Sequence, residues 1–95
     1  MFAVIRHYHF NPQDGAEIDC RIREDFVPIV KNAKGFVRDN WLDTGNGDGA
    51  SLGVFKDKAG ADESVRLAAD YVKDHLSKLL TQKPEIIEGP VKAHD

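Results

Sequence analysis

The strands that this sequence predicts carry large apolar residues on both faces, although only two predicted helices are available to cover them. Residues 2–10 read FAVIRHYHF, an alternation of two sets of side chains that is typical of a β-strand. Two helices shield one face of a small sheet, so the other face needs a partner. We therefore expect a homodimer in which the open faces of two sheets pack together.

The first predicted helix follows this strand and is interrupted near its middle. Asp14 and Glu17 have the spacing of a capping box that begins a helix. Apolar side chains then recur at helical spacing as far as Gly35, a residue type that often ends a helix. Pro28 removes one helical hydrogen bond, so we expect a kink or a reset near residues 24–28.

Two further strands form a predicted hairpin over residues 36–43 and 50–56. The segment TGNGDG (44–49) between them supplies glycines for the positive-φ positions of a hairpin loop. It lacks the lysine that follows a phosphate-binding loop and does not match the calcium-loop pattern. The glycines therefore predict a turn and no ligand site.

A second helix and a short last strand complete the chain. Asp62 and Glu63 suit the positive N-terminal end of a helix. Its apolar stripe recurs at helical spacing over residues 65–80. Residues 86–93 form the last strand, and Pro90 suits an edge position in the sheet.

This order of elements predicts one α+β domain over residues 1–95. It is the order of a ferredoxin-like βαββαβ sandwich, with a four-stranded antiparallel sheet and two helices on one face. Each large apolar side chain contributes about 1.5–3 kcal/mol when buried. Several left uncovered amount to about 10 kcal/mol, the whole stability of a small domain. We therefore expect the sheets of two chains to form a dimeric α/β barrel.

Composition and charge exclude several classes of partner. A net charge of -3 provides no general attraction for nucleic acid or anionic lipid, so we expect neither partner. No segment is long and apolar enough to span a bilayer, and the first residues do not read as a signal peptide. Cys20 is the only cysteine, which indicates a reducing compartment. We expect a cytoplasmic protein.

Three segments resemble the antibiotic-biosynthesis-monooxygenase-like group of the dimeric α/β-barrel superfamily. They are Gly35-Phe36 after the first helix, the WLDTGNGDGASLGVF hairpin, and VFKDKAG before the second helix. The resemblance covers nearly the whole chain and implies a pocket between sheet and helices in each subunit. Members include cofactor-independent monooxygenases acting on aromatic polyketides, haem-degrading proteins and isomerases of small ring compounds. An aromatic often closes the third strand in this family, and here it is Phe55.

The resemblance also implies how a haem-degrading member would look. That branch uses an asparagine on strand one, a tryptophan at the end of strand three and a histidine on helix two. This chain has His75 on helix two and Phe55 in place of the tryptophan, but no asparagine around residues 6–8. With one match in three, haem chemistry is the less favoured interpretation, and we expect no cofactor.

Three histidines are the candidate catalytic residues. His7 and His9 are two residues apart on one strand, so they project from the same face and form a candidate acid/base pair near neutral pH. As metal ligands they lack a clear third member, and we expect no metal site. The alternative is that both lie at the end of the sheet or at the dimer seam. His75 belongs to a second helical stripe, which either lines a pocket or packs against a loop or the other subunit.

Five residues are candidates for lining the pocket. Trp41 is suited either to stack on an aromatic substrate or to lie in the core or at the rim of the dimer interface. Tyr71 is suited either to hydrogen-bond a ligand hydroxyl or to pack against a loop or the other subunit. Phe55 joins them through the family resemblance. The sequence does not decide which face of the first strand lies under the helices. If the histidines lie on the other face, Arg6 and Tyr8 are the pocket residues of that strand.

The leading functional hypothesis is a small homodimeric protein resembling cofactor-independent monooxygenases, a class of oxidoreductase. Its substrate is an aromatic or otherwise hydrophobic small molecule whose own carbanion activates oxygen, as the resemblance implies. No catalytic triad, phosphate loop or zinc pattern points to another reaction. The alternative is a non-catalytic dimer that binds a small ligand or has a structural role. The sequence leaves open whether the protein is an enzyme.

Overall fold

Four antiparallel strands form one sheet in the computed structural model, which describes residues 1–95. In chain order they are β1 (Phe2–His9), β2 (Phe36–Gly45), β3 (Asp48–Phe55) and β4 (Glu85–Pro90). Their order across the sheet is β2-β3-β1-β4, and every neighbouring pair is antiparallel. The predicted ferredoxin-like α+β fold is confirmed, with the helices on one face of the sheet.

The first helical segment is divided by a π-helical turn, as the proline predicts. The N–H of Val27 donates to the carbonyl of Ile22, five residues back instead of four. Pro28 has no N–H and lies in the first turn of the helix that follows, so the reset near residues 24–28 is confirmed. The parts are α1 (Gly15–Arg21), the turn (Ile22–Phe26) and α2 (Val27–Val30).

The predicted capping box at the start of this segment is wrong. The side chain of Asp14 makes no capping hydrogen bond. A 3₁₀ turn (Pro12–Asp14) precedes the helix, and the side chain of Asn11 accepts a hydrogen bond from the N–H of Gln13. The first helical turn therefore begins three residues earlier than expected, because Asn11 caps it and the following proline has no N–H group that needs a partner.

The second helix, α3 (Lys58–Tyr71), also begins earlier than predicted. Asp57 is its N-cap, and its carboxylate accepts a hydrogen bond from the N–H of Gly60 at 3.1 Å. A second π-helical turn (Val72–Leu76) ends the segment. The last strand is shorter than the predicted 86–93, although it lies at the edge of the sheet as expected.

The hairpin between β2 and β3 closes through two residues only. Asn46 and Gly47 both have positive φ, 56° and 85°, which is the geometry of a type I′ turn. The predicted loop of residues 44–49 is therefore too long, because both strands continue into it. The carbonyl of Gly47 accepts a hydrogen bond from the N–H of Phe10 at 2.8 Å. The turn is thus packed against the end of β1.

The alternation along β1 decides what each face of the sheet carries. Val4, Arg6 and Tyr8 are buried beneath the helices, whereas Ile5 and the two histidines of β1 lie on the open face. Nine buried residues form the main core cluster: Tyr8, Phe10, Ile18, Ile22, Phe26, Val30, Ala68, Tyr71 and Leu76. A smaller cluster comprises Val4, Ala33, Phe55 and Ala61.

The open face of the sheet keeps large apolar side chains in solvent. Ile5 pairs with Ile87 across β1 and β4, and Ile87 is 69% exposed. Leu42 and Val37 on β2 are 52% and 44% exposed. In this chain no helix combines the length and the apolar character needed to cross a membrane.

Replacing Gly47 with alanine is expected to destabilise the fold more than replacing Gly45. Both glycines have positive φ, so alanine is strained by about 1–2 kcal/mol at either position. A Cβ at Gly47 would also collide with the backbone oxygen of Phe10, whereas one at Gly45 meets no atom within 4 Å. Since overpacking costs about 1–3 kcal/mol, urea denaturation should show a further loss of that size for Gly47→Ala. Equal losses would contradict the close packing.

Candidate functional site

A cavity of about 240 Å³ lies between the sheet and α3. Its walls are mainly apolar, and its polar groups come from few positions. Arg6 and Tyr8 of β1 form part of its floor. The complete lining is Arg6, Tyr8, Val65, Ala68, Ala69, Val72, Lys73, Lys83, Pro84 and Ile86.

Small side chains on α3 leave the space for this cavity. Val65 of α3 is followed three and four residues later by Ala68 and Ala69, and these in turn by Val72 at the start of the π-helical turn, so the four line one side of the helical segment. The alanines are short, and the helix is held close to the sheet by larger neighbours in the core. The same apolar stripe that predicted the helix therefore also forms the cavity wall.

The charged groups around the cavity are all cationic. Arg6, Lys73 and Lys83 line it, and no carboxylate or imidazole does. In an apolar enclosure, fixed positive charge favours a ligand that carries a negative charge. The lining also contains no general base of the ordinary carboxylate or histidine type.

Arg6 is the least usual residue of the site, because it is a charged side chain that is 1% exposed. Its Nη2 donates to Ser64 Oγ at 2.8 Å, and Ser64 Oγ in turn donates to the carbonyl of Ala61 at 2.7 Å. Its guanidinium carbon lies 5.7 Å from the centre of the Phe26 ring. The Nε and Nη1 groups are buried and have no hydrogen-bond partner in the chain, which is rare for a charged side chain in a folded protein.

Burial shifts the pKa values of Arg6 and of the groups near it. Burial lowers the pKa of Arg6, but an arginine starts so high that it stays charged. Burial also raises the pKa of Tyr8, so its hydroxyl stays protonated and can act as a donor. The pKa of Asp39 rises to about 6 by burial, against the opposing effect of the Arg6 charge.

Asp39 and Ser51 add further unpaired polar atoms on the same face of the sheet. Both carboxylate oxygens of Asp39 and the hydroxyl of Ser51 are buried without a partner. Ser51 lies between Arg6 and Trp41 across the strands. Buried polar groups are rarely left unpaired in folded proteins unless a water, an ion or a ligand meets them. These atoms make the region a candidate binding site.

A wider groove of about 450 Å³ lies between the first helical segment and β2, and no residue of α3 lines it. Asp39 and Trp41 both line it. Trp41 Nε1 donates to Asp19 Oδ1 at 2.8 Å, and its ring centre lies 5.7 Å from that of Tyr8. The indole is thereby fixed beside the floor of the cavity.

The predicted pocket residues thus lie in three places. Arg6 and Tyr8 line the cavity, and Trp41 lines the groove. Phe55 is fully buried in the smaller core cluster. Tyr71 is buried in the main cluster, where its hydroxyl donates to Asp25 Oδ2 at 3.0 Å; burial, with help from this carboxylate, raises its pKa to about 12.

The predicted catalytic histidines do not line the cavity. His7 and His9 lie on the open face of the sheet, where they meet Asp48 and Glu85. His75 is exposed in the turn after α3 and stacks on the ring of Tyr71, with 4.9 Å between ring centres. The structure therefore does not bring the three together, and their catalytic role stays a prediction.

Several groups around the site were not found by reasoning from the sequence. Ser64, Lys73 and Lys83 carry no motif and reach the site only through packing. The strand register could have identified Asp48 and Glu85, because each lies directly opposite a histidine of β1. A two-residue turn at Asn-Gly, in place of the longer predicted loop, places Asp48 in β3.

Asp39→Asn tests the buried carboxylate through the pH dependence of stability. The pKa of Asp39 is about 6 in the fold against an ordinary value of 3.8. Between about pH 4 and pH 6 the folded state therefore keeps a proton that the unfolded state loses. The contribution of the protonated carboxyl to the stability of the fold is complete below about pH 4 and is lost as the pH rises through about 6. Denaturation across this range should show the wild type losing stability relative to Asp39→Asn. The exposed Asp70→Asn is the control, and parallel curves for wild type and Asp39→Asn would contradict the burial.

Solved structures share this fold over almost the whole chain. Protein NE2512 of unknown function from Nitrosomonas europaea matches with a TM-score of 0.83 at 19% identity, covering 99% of this chain and 91% of that one. The ActVA-Orf6 monooxygenase of Streptomyces coelicolor, in complex with nanaomycin D, gives 0.78 at 10% identity, covering 99% and 89%. The cofactor-independent oxygenase SnoaB from Streptomyces nogalater gives 0.72 at 12%, covering 98% and 94%.

No protein-family model matches the sequence, and no curated protein matches it. At the identities of the solved structures, the likeness shows the fold. The chain has the fold of the antibiotic-biosynthesis-monooxygenase-like proteins, which confirms the subunit fold that the resemblance implied.

Proposed function

We propose that this chain is a homodimeric monooxygenase-like enzyme that oxidises a small aromatic molecule, held as an anion, in the cavity beneath α3. The observation that carries the proposal is an apolar cavity whose floor holds a buried arginine with two unpaired donor groups. The fold shared with a cofactor-independent oxygenase and a monooxygenase supports it.

The size of the cavity indicates the size of the substrate. A dry core cavity of about 150 Å³ is enough to bind benzene. The volume of about 240 Å³ here suits one aromatic ring or two fused rings. A hydroxylated naphthalene fits this description.

The charge of the lining indicates which form of the substrate reacts. Arg6 stabilises a phenolate over the neutral phenol, since hydrogen bonds to an ionised acceptor are the stronger ones. Tyr8 stays protonated and adds a neutral donor. The phenolate is the electron-rich form that reacts with oxygen, so the cavity needs no carboxylate base of its own.

The proposed reaction consumes one molecule of oxygen. Dihydroxynaphthalene and O₂ give hydroxynaphthoquinone and water: one ring C–H bond and one O–H bond break, one oxygen atom becomes the new carbonyl, and the other leaves as water. The ring is oxidised by four electrons and O₂ is reduced by four. The residues of this chain bind the anion, orient it and keep bulk water away.

Arg6→Met should remove the preference for an anionic ring. We expect the wild type to bind naphthoate about 10-fold or more tightly than naphthamide, because a hydrogen bond to a charged group contributes about 1.5–3 kcal/mol. In Arg6→Met the ratio should approach one, as measured by calorimetry or ligand-observed NMR. Arg66→Met, an exposed arginine on α3, is the control.

Oxygen uptake with dihydroxynaphthalene then tests the catalytic part of the proposal. The wild type should consume oxygen and form the quinone in equal amounts, while Arg6→Met should lose most of this rate. Binding of naphthoate without any oxygen uptake would contradict the monooxygenase assignment. That result would leave the second candidate function, a non-catalytic binding protein. The observation that favours this candidate is that no carboxylate or imidazole lines the cavity.

We propose further that the open sheet face binds a second copy of this chain. Ile5 and Ile87 lie opposite each other on this face, and Leu42 and Val37 of β2 are exposed on the same face. Fully burying one such side chain contributes about 1.5–3 kcal/mol, so several together provide enough free energy for a stable dimer. The resemblance of the sequence to the dimeric α/β-barrel superfamily supports a dimer formed through this face.

Ile87→Asp should convert the dimer to a monomer of 10.6 kDa. A carboxylate at this position would be buried against the partner sheet, which is costly without a counter-charge. Sedimentation equilibrium should give a dimer for the wild type and for the control Arg66→Glu, which places the same charge on the outer side of α3. A wild-type monomer at micromolar concentration would contradict the proposal.

A further inference from the structure

Two histidines and two carboxylates converge at one end of the open sheet face, well apart from the cavity. This histidine–carboxylate cluster comprises His7 and His9 of β1, Asp48 of β3 and Glu85 of β4. The strand register brings them together, since His9 lies opposite Asp48 and His7 opposite Glu85. The imidazole ring centres are 4.2 Å apart.

The contacts in the cluster require more positive charge than neutral imidazoles supply. His9 Nδ1 lies 2.7 Å from Asp48 Oδ1, and His9 Nε2 lies 2.8 Å from Glu85 Oε1. A neutral imidazole carries one N–H, so it can donate to only one of these carboxylates. The second contact requires either another proton or a metal ion in its place. With both histidines neutral the cluster carries two negative charges, which a divalent cation balances.

The two carboxylates face opposite nitrogens of each ring. Asp48 Oδ1 lies toward His7 Nε2, at 3.6 Å, and toward His9 Nδ1. Glu85 Oε1 lies toward His7 Nδ1, at 3.3 Å, and toward His9 Nε2. Histidines that bind a metal commonly donate their other N–H to a carboxylate, which fixes the ring and its tautomer. Glu85 has the position of that orienting carboxylate.

We propose that His7 Nε2, His9 Nδ1 and Asp48 Oδ1 bind a divalent transition-metal ion of the zinc class, with Glu85 orienting both rings. Asp48 Oδ1 lies 3.6 Å from His7 Nε2 and 2.7 Å from His9 Nδ1, and one ligand atom from each of the three residues lies within 4.8 Å of the other two. Tetrahedral ligands at about 2.0–2.1 Å from zinc are separated by roughly 3.4 Å, so the site closes on the ion through side-chain shifts of about 1 Å. Imidazole with carboxylate suits zinc, copper, nickel or iron better than magnesium or calcium.

The site is complete within one chain and leaves one coordination position open, as in zinc sites that hold a water or another small ligand. In a single chain all four side chains are partly exposed, between 21% and 64%, so an ion can reach them from solvent. In the proposed dimer the cluster lies at one end of the open face, and the ion binds there at the edge of the interface. Because protons compete for the imidazoles, affinity should rise with pH. His7, His9, Asp48 and Glu85 are the titratable groups that face the ion from β1, β3 and β4.

Calorimetric titration of Zn²⁺ into untagged, EDTA-treated protein tests the proposal. We expect one ion per chain, and Co²⁺ should give the visible absorption of a four-coordinate site. Glu85→Gln should keep this stoichiometry but lower the affinity about 10–100-fold. His9→Gln and Asp48→Asn, which remove a ligand, should lower it more. Circular dichroism of each metal-free variant establishes that it is folded.

His94→Gln and Asp70→Asn are the matched controls, since each removes one histidine or one carboxylate outside the cluster. Their zinc affinity should equal that of the wild type. Should Asp48→Asn fail to fold, ¹⁵N NMR of the wild-type imidazoles gives a second measurement: zinc should shift His7 Nε2 and His9 Nδ1 and leave His75 unchanged. No zinc uptake, or equal affinity in the wild type and His9→Gln, would overturn the proposal. Neither result depends on catalysis in the cavity.

Discussion

The burial of one face of β1 beneath the helices determines what both sides of the sheet can do. Val4, Arg6 and Tyr8 enter the core as a set, because side chains alternate along a strand. Arg6 is then a charge in an apolar interior, held by Ser64 and the Phe26 ring. The same alternation sends the β1 histidines to the other face. A one-residue shift in register would exchange the two faces completely.

The two faces therefore separate two kinds of chemistry. The covered face has an apolar cavity with cationic groups and no base, which suits the binding of an aromatic anion. The open face has apolar residues beside the histidine–carboxylate cluster. Asp39 belongs to the covered face, where burial rather than a neighbouring charge sets its high pKa.

Reasoning from the sequence predicted the fold better than the site. Periodicity placed all four strands and both helical segments, and Pro28 predicted a kink or a reset near residues 24–28, which the structure shows to be a π-helical turn. The errors lie at the N-terminal ends of the helices. Asn11 and Asp57 begin the two helical segments, earlier than the acidic residues Asp14 and Asp62 that were expected at these ends. Local hydrogen bonds decide such ends, and several residue types compete for them. For the site, periodicity defined two faces of β1 without deciding which is covered.

The sequence by itself determined the order of elements, the two-sided apolar character of the sheet and the two alternating sets on β1. These depend on spacing along the chain, which the sequence states directly. Only the tertiary structure decided that Arg6 and Tyr8 meet α3, and that Asp48 and Glu85 meet the histidines. Those contacts join residues far apart in the chain. Which residues meet depends on how the helices and the hairpin pack against β1 and on the register of the strands.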